Sequence, residues 1–216
     1  MKKQYVVFGA DRFGASVAVT LEKNGCQVLV IDNNPERVKD IADLVSCAMV
    51  ADVTDPDEVA ELGLKNMDGA VVAIANHMEA SIVATLTCRD YGIKEIIARG
   101  KNEVHGRILG KIGVSRVVYP EKEMGVRIGH FLTVHDFTDW INLSSDYSLV
   151  EFKIPQDWYG KTLGELNLRS RYGFNVVGIR RGNQMDMEFQ PDMVANRNMI
   201  LYVVGKNSDL EKFSGK

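Results

Sequence analysis

The chain has 216 residues, 45% of them hydrophobic and 25% charged, with a formal net charge of −3. That is the composition of an ordinary globular protein, long enough for one medium domain and a smaller one. A charge so near neutral excludes a nucleic-acid binder that works by counterion release, and no apolar run approaches the ~18 residues of a membrane span.

The N-terminus, "MKKQYVVFGA", passes straight from two lysines into a strand and a glycine turn, which speaks against a signal peptide. Cys26, Cys47 and Cys88 are odd in number and form no CxxC pair. They read as small buried hydrophobes in a reduced, cytoplasmic protein.

Short apolar runs then alternate with helix-period segments. "QYVVF" predicts a strand that runs into Gly9, and "RFGASVAVTLEKNG" a helix that stops at Gly25. "QVLVID" is followed by "NPERVKDIADL", where Asn34 is placed to cap a helix and Pro35 to open it. "CAMVAD" with "DPDEVAELG", "AVVAIA" (Ala70 to Ala75) with "MEASIVATLTCRDYG", and "EIIAR" with "EVHGRILGKIG" repeat the alternation, and "SRVVYP" supplies a sixth strand. Six strands separated by helices require parallel crossovers, and continuously apolar strands require cover on both faces. Residues 1–120 therefore predict an α/β, Rossmann-like doubly wound parallel sheet.

In "EKEMGVRIGHFLTVHDFTDWI", Met124, Ile128, Phe131, Leu132, Phe137, Trp140 and Ile141 form an apolar surface too wide for one sheet face, and Gly125 and Gly129 permit close backbone approach. Residues 121–142 read as a helical crossover that packs on a partner subunit. His130 and His135 are badly spaced for two metal ligands on one helix face and read as polar groups at that interface. After the polar linker "NLSSDYS", residues 143–216 predict a small α+β domain. Its elements are the strand "SLVEFKIP", the helix "TLGELNLRSRYG", the strand "FNVVGIRRGN" with a turn at Gly182 and Asn183, the strand "MILYVVG" and the final helix "NSDLEKFS". It carries no Ser/His/Asp set and no Cys/His cluster, and is small and chemically plain for a dehydrogenase substrate domain.

The chemistry is concentrated at "VVFGADRFG". Gly9 lets the strand bend and Gly14 lets the helix pack against it, so that backbone N–H groups and the helix dipole face an anion. Asp32 closes the second strand near the ~20-residue spacing at which an acid accepts hydrogen bonds from a ribose. Asp11, however, stands where the pattern has a middle glycine. Two unit charges 4 Å apart at an effective dielectric near 20 repel by ~4 kcal/mol, so Asp11 is expected to oppose a pyrophosphate or to recruit a cation. Arg12 beside it points to visiting anions.

"VVFGADRFG", "VIDNNPERV", "ADVTDPDEVAELGL", "VVAIANHMEASI", "KIGVSRVVYPEKEMG" and "LNLRSRYGFNVVGIRRG" together resemble the KtrA/TrkA family of gating subunits of bacterial potassium uptake, built of N- and C-terminal RCK domains. The family turn is GLGRFG, from which Asp11 departs. The resemblance implies a non-enzymatic regulator beneath a KtrB/TrkH-type membrane channel, with dimers building an octameric ring and ADP, ATP or NAD(H) bound in each N-terminal domain. It assigns Gly9, Ala10, Asp11, Arg12, Phe13 and Gly14 to the phosphates and Asp32 to the ribose. Asn33, Asp52, Val53 and Thr54 then flank the adenine, Ala75, Asn76 and Glu79 line the crevice, and Arg99 stands near the ligand. Glu121 matches a carboxylate that helps hold a divalent cation. A cyclic di-AMP site in the C-terminal domain would use Arg169, Phe174, Asn175, Val176 and Pro191. The fold alone admits a rival, a small NAD-dependent oxidoreductase, and Asp11 admits a subunit that binds no nucleotide.

Overall fold

Gln4–Phe8 (β1) leads through the Gly9 turn into Arg12–Lys23 (α1), and strands and helices then alternate. They are Gln27–Asp32 (β2), Pro35–Ile41 (α2), Cys47–Val50 (β3), Pro56–Ala60 (α3), Gly69–Val72 (β4), Met78–Asp90 (α4), Glu95–Arg99 (β5), Glu103–Ile112 (α5) and Arg116–Val118 (β6). The computed structural model describes residues 2–133 and 137–214 and divides into two units, Met1–Pro120 and Glu121–Lys216.

The six strands of the first unit are parallel, in the order β3-β2-β1-β4-β5-β6. Both faces are covered. Val6 and Phe8 pack into one core with Leu29, Ile31 and Val72, while Val7 faces the opposite core with Val28, Val30 and Ala18. Local chemistry sets the helix starts: Asn34 accepts the Glu36 N–H at 2.9 Å ahead of Pro35, and Asp55 accepts the Asp57 N–H at 2.9 Å ahead of Pro56. The strand expected to run through Ala75 stops at Val72, so Ala73–Ala75 leave the sheet. Of the cysteines, only Cys88 is a core residue; Cys26 is half-buried and Cys47 exposed. Burial pushes the Cys88 thiol up to about 12.

The second unit departs further from the sequence expectation. Pro120–Thr133 (α6) is helical, but Phe137–Asn142 (β7) is a strand, so the crossover does not stay helical across residues 121–142. Tyr147–Lys153 (β8), Leu163–Leu166 (α7), Leu168–Tyr172 (α8), Asn175–Arg181 (β9), Gln184–Asp186 (β10), Met199–Lys206 (β11) and Asn207–Ser214 (α9) follow. The single helix expected at "TLGELNLRSRYG" is broken by Asn167 in the left-handed region (φ 45°), a conformation that Asn tolerates better than most residues. Five antiparallel strands, in the order β10-β9-β11-β8-β7, replace the three expected, because β7 and β10 are too short or too polar to announce themselves.

Strict alternation explains the sheet. Val150 and Phe152 on β8, and Leu201 and Val203 on β11, are fully buried on one face with Phe174, Trp158 and Leu210. Phe137 and Trp140 join that core, each 2% exposed, and are not interface residues as expected. The Trp140 indole N–H donates to Asn142 Oδ1 at 2.9 Å, and the ring stacks on His130 of α6 at 4.4 Å. Arg127 of α6 pairs with Asp139 of β7 and holds that carboxyl below the usual range. Met124, Ile128, Phe131 and Leu132 of α6 remain exposed. His135 lies outside the described residues. Among those residues no helix is long and apolar enough to cross a membrane.

Trp140→Ala is expected to destabilise the second unit by ~3–5 kcal/mol, read by urea unfolding through the remaining Trp158 fluorescence. An unchanged midpoint would place Trp140 outside the core. A second expectation concerns His105 of α5, which is fully buried. Its Nδ1 accepts the Lys101 N–H at 3.2 Å, and Nε2 has no partner among the described residues. Burial, and then the charge of Lys101, hold its pKa below 6.5. The unfolded chain therefore binds a proton that the folded chain refuses, and stability falls as pH drops below ~6.5. His105→Gln should flatten that part of the stability-versus-pH curve, measured by urea titrations from pH 8 to 5.

Candidate functional site

In an open parallel sheet, ligands lie outside the carboxyl ends of the strands where the strand order reverses. Here that point is between β1 and β4. Gly9 (φ 97°) turns the chain off β1, and its N–H donates to the Ile31 carbonyl at 2.7 Å. A Cβ on Gly14 would lie 1.8 Å from the Gly9 carbonyl oxygen, so α1 starts directly against the strand end only because residue 14 is glycine.

Asp32 is pinned from below this turn. Its side chain is 4% exposed. Oδ2 accepts the Ala10 N–H at 2.7 Å, and Oδ1 accepts the Asn34 N–H at 2.9 Å. The Arg37 guanidinium reaches Oδ2 at 3.5 Å. Asp52 is held similarly at the next strand end. Its Oδ1 accepts both the N–H (2.9 Å) and the hydroxyl (2.7 Å) of Thr54, which keeps the carboxyl below its usual 3.8.

Asp11 is the N-cap of α1. Its Oδ1 accepts the N–H groups of Phe13 and Gly14, both at 3.1 Å, and its Oδ2 pairs with the Arg99 guanidinium from the end of β5. The sequence left Asp11 to oppose a pyrophosphate or to recruit a cation; in the structure its carboxylate is engaged by the Arg99 guanidinium and two helix amides. Arg99 also lies over the Phe13 ring, with 5.6 Å from Cζ to the centroid.

These elements enclose a crevice of ≈ 120 Å³. That is small beside the ~300–1,000 Å³ of whole-ligand sites, and suits a ring-sized fragment with the rest of a ligand at the mouth. Eight of the residues singled out from the sequence line it: Gly9, Asp11, Asp32, Asn33, Asp52, Val53, Ala75 and Asn76. Ala10, Phe13, Gly14, Thr54 and Arg99 support it from behind through the contacts above, while Arg12 and Glu79 are exposed and outside the lining. Besides the apolar lining residues Ile31, Ala51 and Ala73, sequence reasoning missed Arg37, His77, Ile74 and Ala80. Arg37 was legible from its place in the turn that Asn34 caps after Asp32. The other three depend on where the chain goes after β4 ends.

Glu121, expected at a divalent cation, is exposed in the first turn of α6. No group of three or more His, Cys, Asp or Glu side chains suited to a metal occurs among the described residues. Of the residues assigned to cyclic di-AMP, Arg169, Asn175 and Pro191 are exposed and Val176 is half-buried. Phe174 is 1% exposed and stacks with Tyr172 inside the core, so its ring is not available to an adenine. Phe174 alone of these residues is thereby corrected, from a ligand contact to a core residue.

A doubly wound domain with this crevice, followed by a small antiparallel sheet domain, is the arrangement of two matching families: the TrkA-N domain over residues 5–120 and the TrkA-C domain over residues 149–215. Ktr system potassium uptake protein C of Bacillus subtilis is 35% identical over 99% of this chain and 96% of its own. Ktr system potassium uptake protein A of Vibrio alginolyticus is 35% identical over 96% of this chain and 94% of its own. The chain belongs to the KtrA/TrkA family of potassium-uptake regulatory proteins. The solved GsuK channel bound to NAD shares the fold, with a TM-score of 0.66 at 20% identity over 100% of this chain. This chain spans 40% of that one.

Asp32→Ala should destabilise the first unit by ~1–3 kcal/mol, because it leaves the buried Ala10 N–H and the part-buried Asn34 N–H without a charged acceptor. Thermal unfolding measured without ligand checks this. A midpoint equal to wild type would mean that Asp32 is held for a ligand alone.

Proposed function

We propose that this protein is the cytoplasmic, nucleotide-responsive subunit that gates a bacterial potassium-uptake channel of the Ktr/Trk type. The observation that carries the reading is the crevice at the β1/β4 reversal, where Asp32, Asp52, Val53, Ala75 and Asn76 converge on a ring-sized cavity. Near-full-length identity of 35% to two potassium uptake proteins supports the partner, a membrane potassium channel.

The ligand acts by shifting a population. It moves the protein only by its differential affinity for two arrangements, and a ligand with equal affinity for both moves nothing. ADP, ATP and NAD(H) share the adenosine portion, so what distinguishes them acts at the phosphate end beside Asp11, Arg12 and Arg99. The exposed apolar residues of α6, Met124, Ile128, Phe131 and Leu132, supply a surface for homo-oligomer assembly toward a ring. Glu121 at the start of the same helix is the candidate ligand for a divalent cation. In the C-terminal unit, Arg169 and Asn175 are exposed where a cyclic di-AMP phosphate and base would meet them.

Mass spectrometry of the natively purified protein should find an adenine-containing ligand, and adding that ligand in hundredfold excess over its Kd should stabilise the fold by ~2.7 kcal/mol. In a potassium-uptake-deficient bacterium, growth at low potassium should need this chain together with its channel. Absence of binding by every adenine compound overturns the reading. Steady turnover of NADH with a small substrate would replace it with the oxidoreductase.

A further inference from the structure

The donors at the end of β1 are of the kind that bind phosphate: two amides at a helix N-terminus and one guanidinium. All three are already engaged by one side chain. Asp11 Oδ1 takes the Phe13 and Gly14 N–H groups at 3.1 Å each, and Oδ2 takes Arg99. Arg99 is fixed in turn, with its side chain 12% exposed and Nη1 3.4 Å from the Ala73 carbonyl. The Asp11 side chain is 33% exposed and lines the crevice beside Gly9 and Asp32. It therefore stands between the cavity and the donors that a phosphate would seek.

We infer that Asp11 is a built-in competitor for the phosphate end of the crevice, so that this site favours adenosine or its monophosphate over the di- and triphosphates. The inference rests on the nucleotide reading above and adds the class of ligand. A terminal phosphate that leaves Asp11 in place meets a carboxylate at close range. One that displaces it must break the contacts to Phe13, Gly14 and Arg99 to make equivalent contacts with the same donors. The competitor is tethered by its own backbone, so its effective concentration is high and never diluted. The adenosine end of the crevice, at Asp32, Asp52 and Ala75, is untouched by this competition.

The test is calorimetry of adenosine, AMP, ADP and ATP on the full chain, with and without magnesium, for wild type, Asp11→Asn and Asp11→Gly. Asn retains an oxygen able to cap α1, which guards against a misfolded variant, and thermal unfolding checks each protein. Wild type should bind adenosine or AMP at least as tightly as ATP. In Asp11→Asn the ATP-to-adenosine affinity ratio should rise about tenfold or more, as expected when a charge-assisted competitor is removed, while adenosine itself changes less than about twofold. ATP binding tightest to wild type, with a ratio unchanged in both variants, overturns the inference and leaves the nucleotide reading standing. A magnesium-dependent ATP affinity that vanishes in Asp11→Asn also overturns it, because Asp11 would then be a cation ligand. If none of the four compounds binds any of the folded proteins, the nucleotide reading falls and this inference with it.

Discussion

The N-terminal unit depends on how closely α1 approaches the end of β1. Gly14 sits so near the Gly9 carbonyl that a single methyl group would collide with it. Because the helix begins there, the Ala10 N–H faces Asp32 on the neighbouring strand and residue 11 falls at the helix cap. Strand spacing, turn geometry and the crevice floor are thus one construction. Relaxing the glycine contact would move the cap, the turn and the strand-end aspartate together.

A consequence is that the acids of the crevice are structural groups before they are ligand groups. Asp11 satisfies helix amides and Arg99, Asp32 satisfies two backbone donors, and Asp52 satisfies Thr54. An ionised carboxylate accepts about four hydrogen bonds, so Asp32 keeps some acceptor capacity after holding Ala10, Asn34 and Arg37. Asp11 differs because its partners are the very groups a phosphate needs.

The C-terminal unit is held by a different device. Alternation along β8 and β11 puts Val150, Phe152, Leu201 and Val203 on one face, and an aromatic cluster of Phe137, Phe152, Trp158, Phe174 and Phe213 fills the space above them. Trp140 extends that core and stacks on His130, while Arg127 and Asp139 lock α6 to β7. The helix α6 is therefore held to β7 by ring stacking and an ion pair, and leaves Met124, Ile128, Phe131 and Leu132 exposed.

The sequence by itself determined the six-stranded parallel sheet, the turn at Gly9 and the helix start at Asn34, because these rest on apolar runs, glycines and caps that act over a few residues. Local signals, a glycine turn and a strand end, also marked Gly9, Asp11 and Asp32 of the crevice, while Asn33, Asp52, Val53, Ala75 and Asn76 came only from the family resemblance. Only the tertiary structure decided the roles of Trp140, Phe174 and Asp11. An apolar or aromatic side chain has the same appearance in sequence whether it faces a partner, a ligand or its own core, and the pairing of β7 with β8 settled the matter for Trp140. For Asp11 the deciding neighbour was Arg99, brought from the end of β5 by the order of the strands. A charge separated from its partner by most of a domain has no local signal, because Coulomb attraction depends on distance in space and not along the chain.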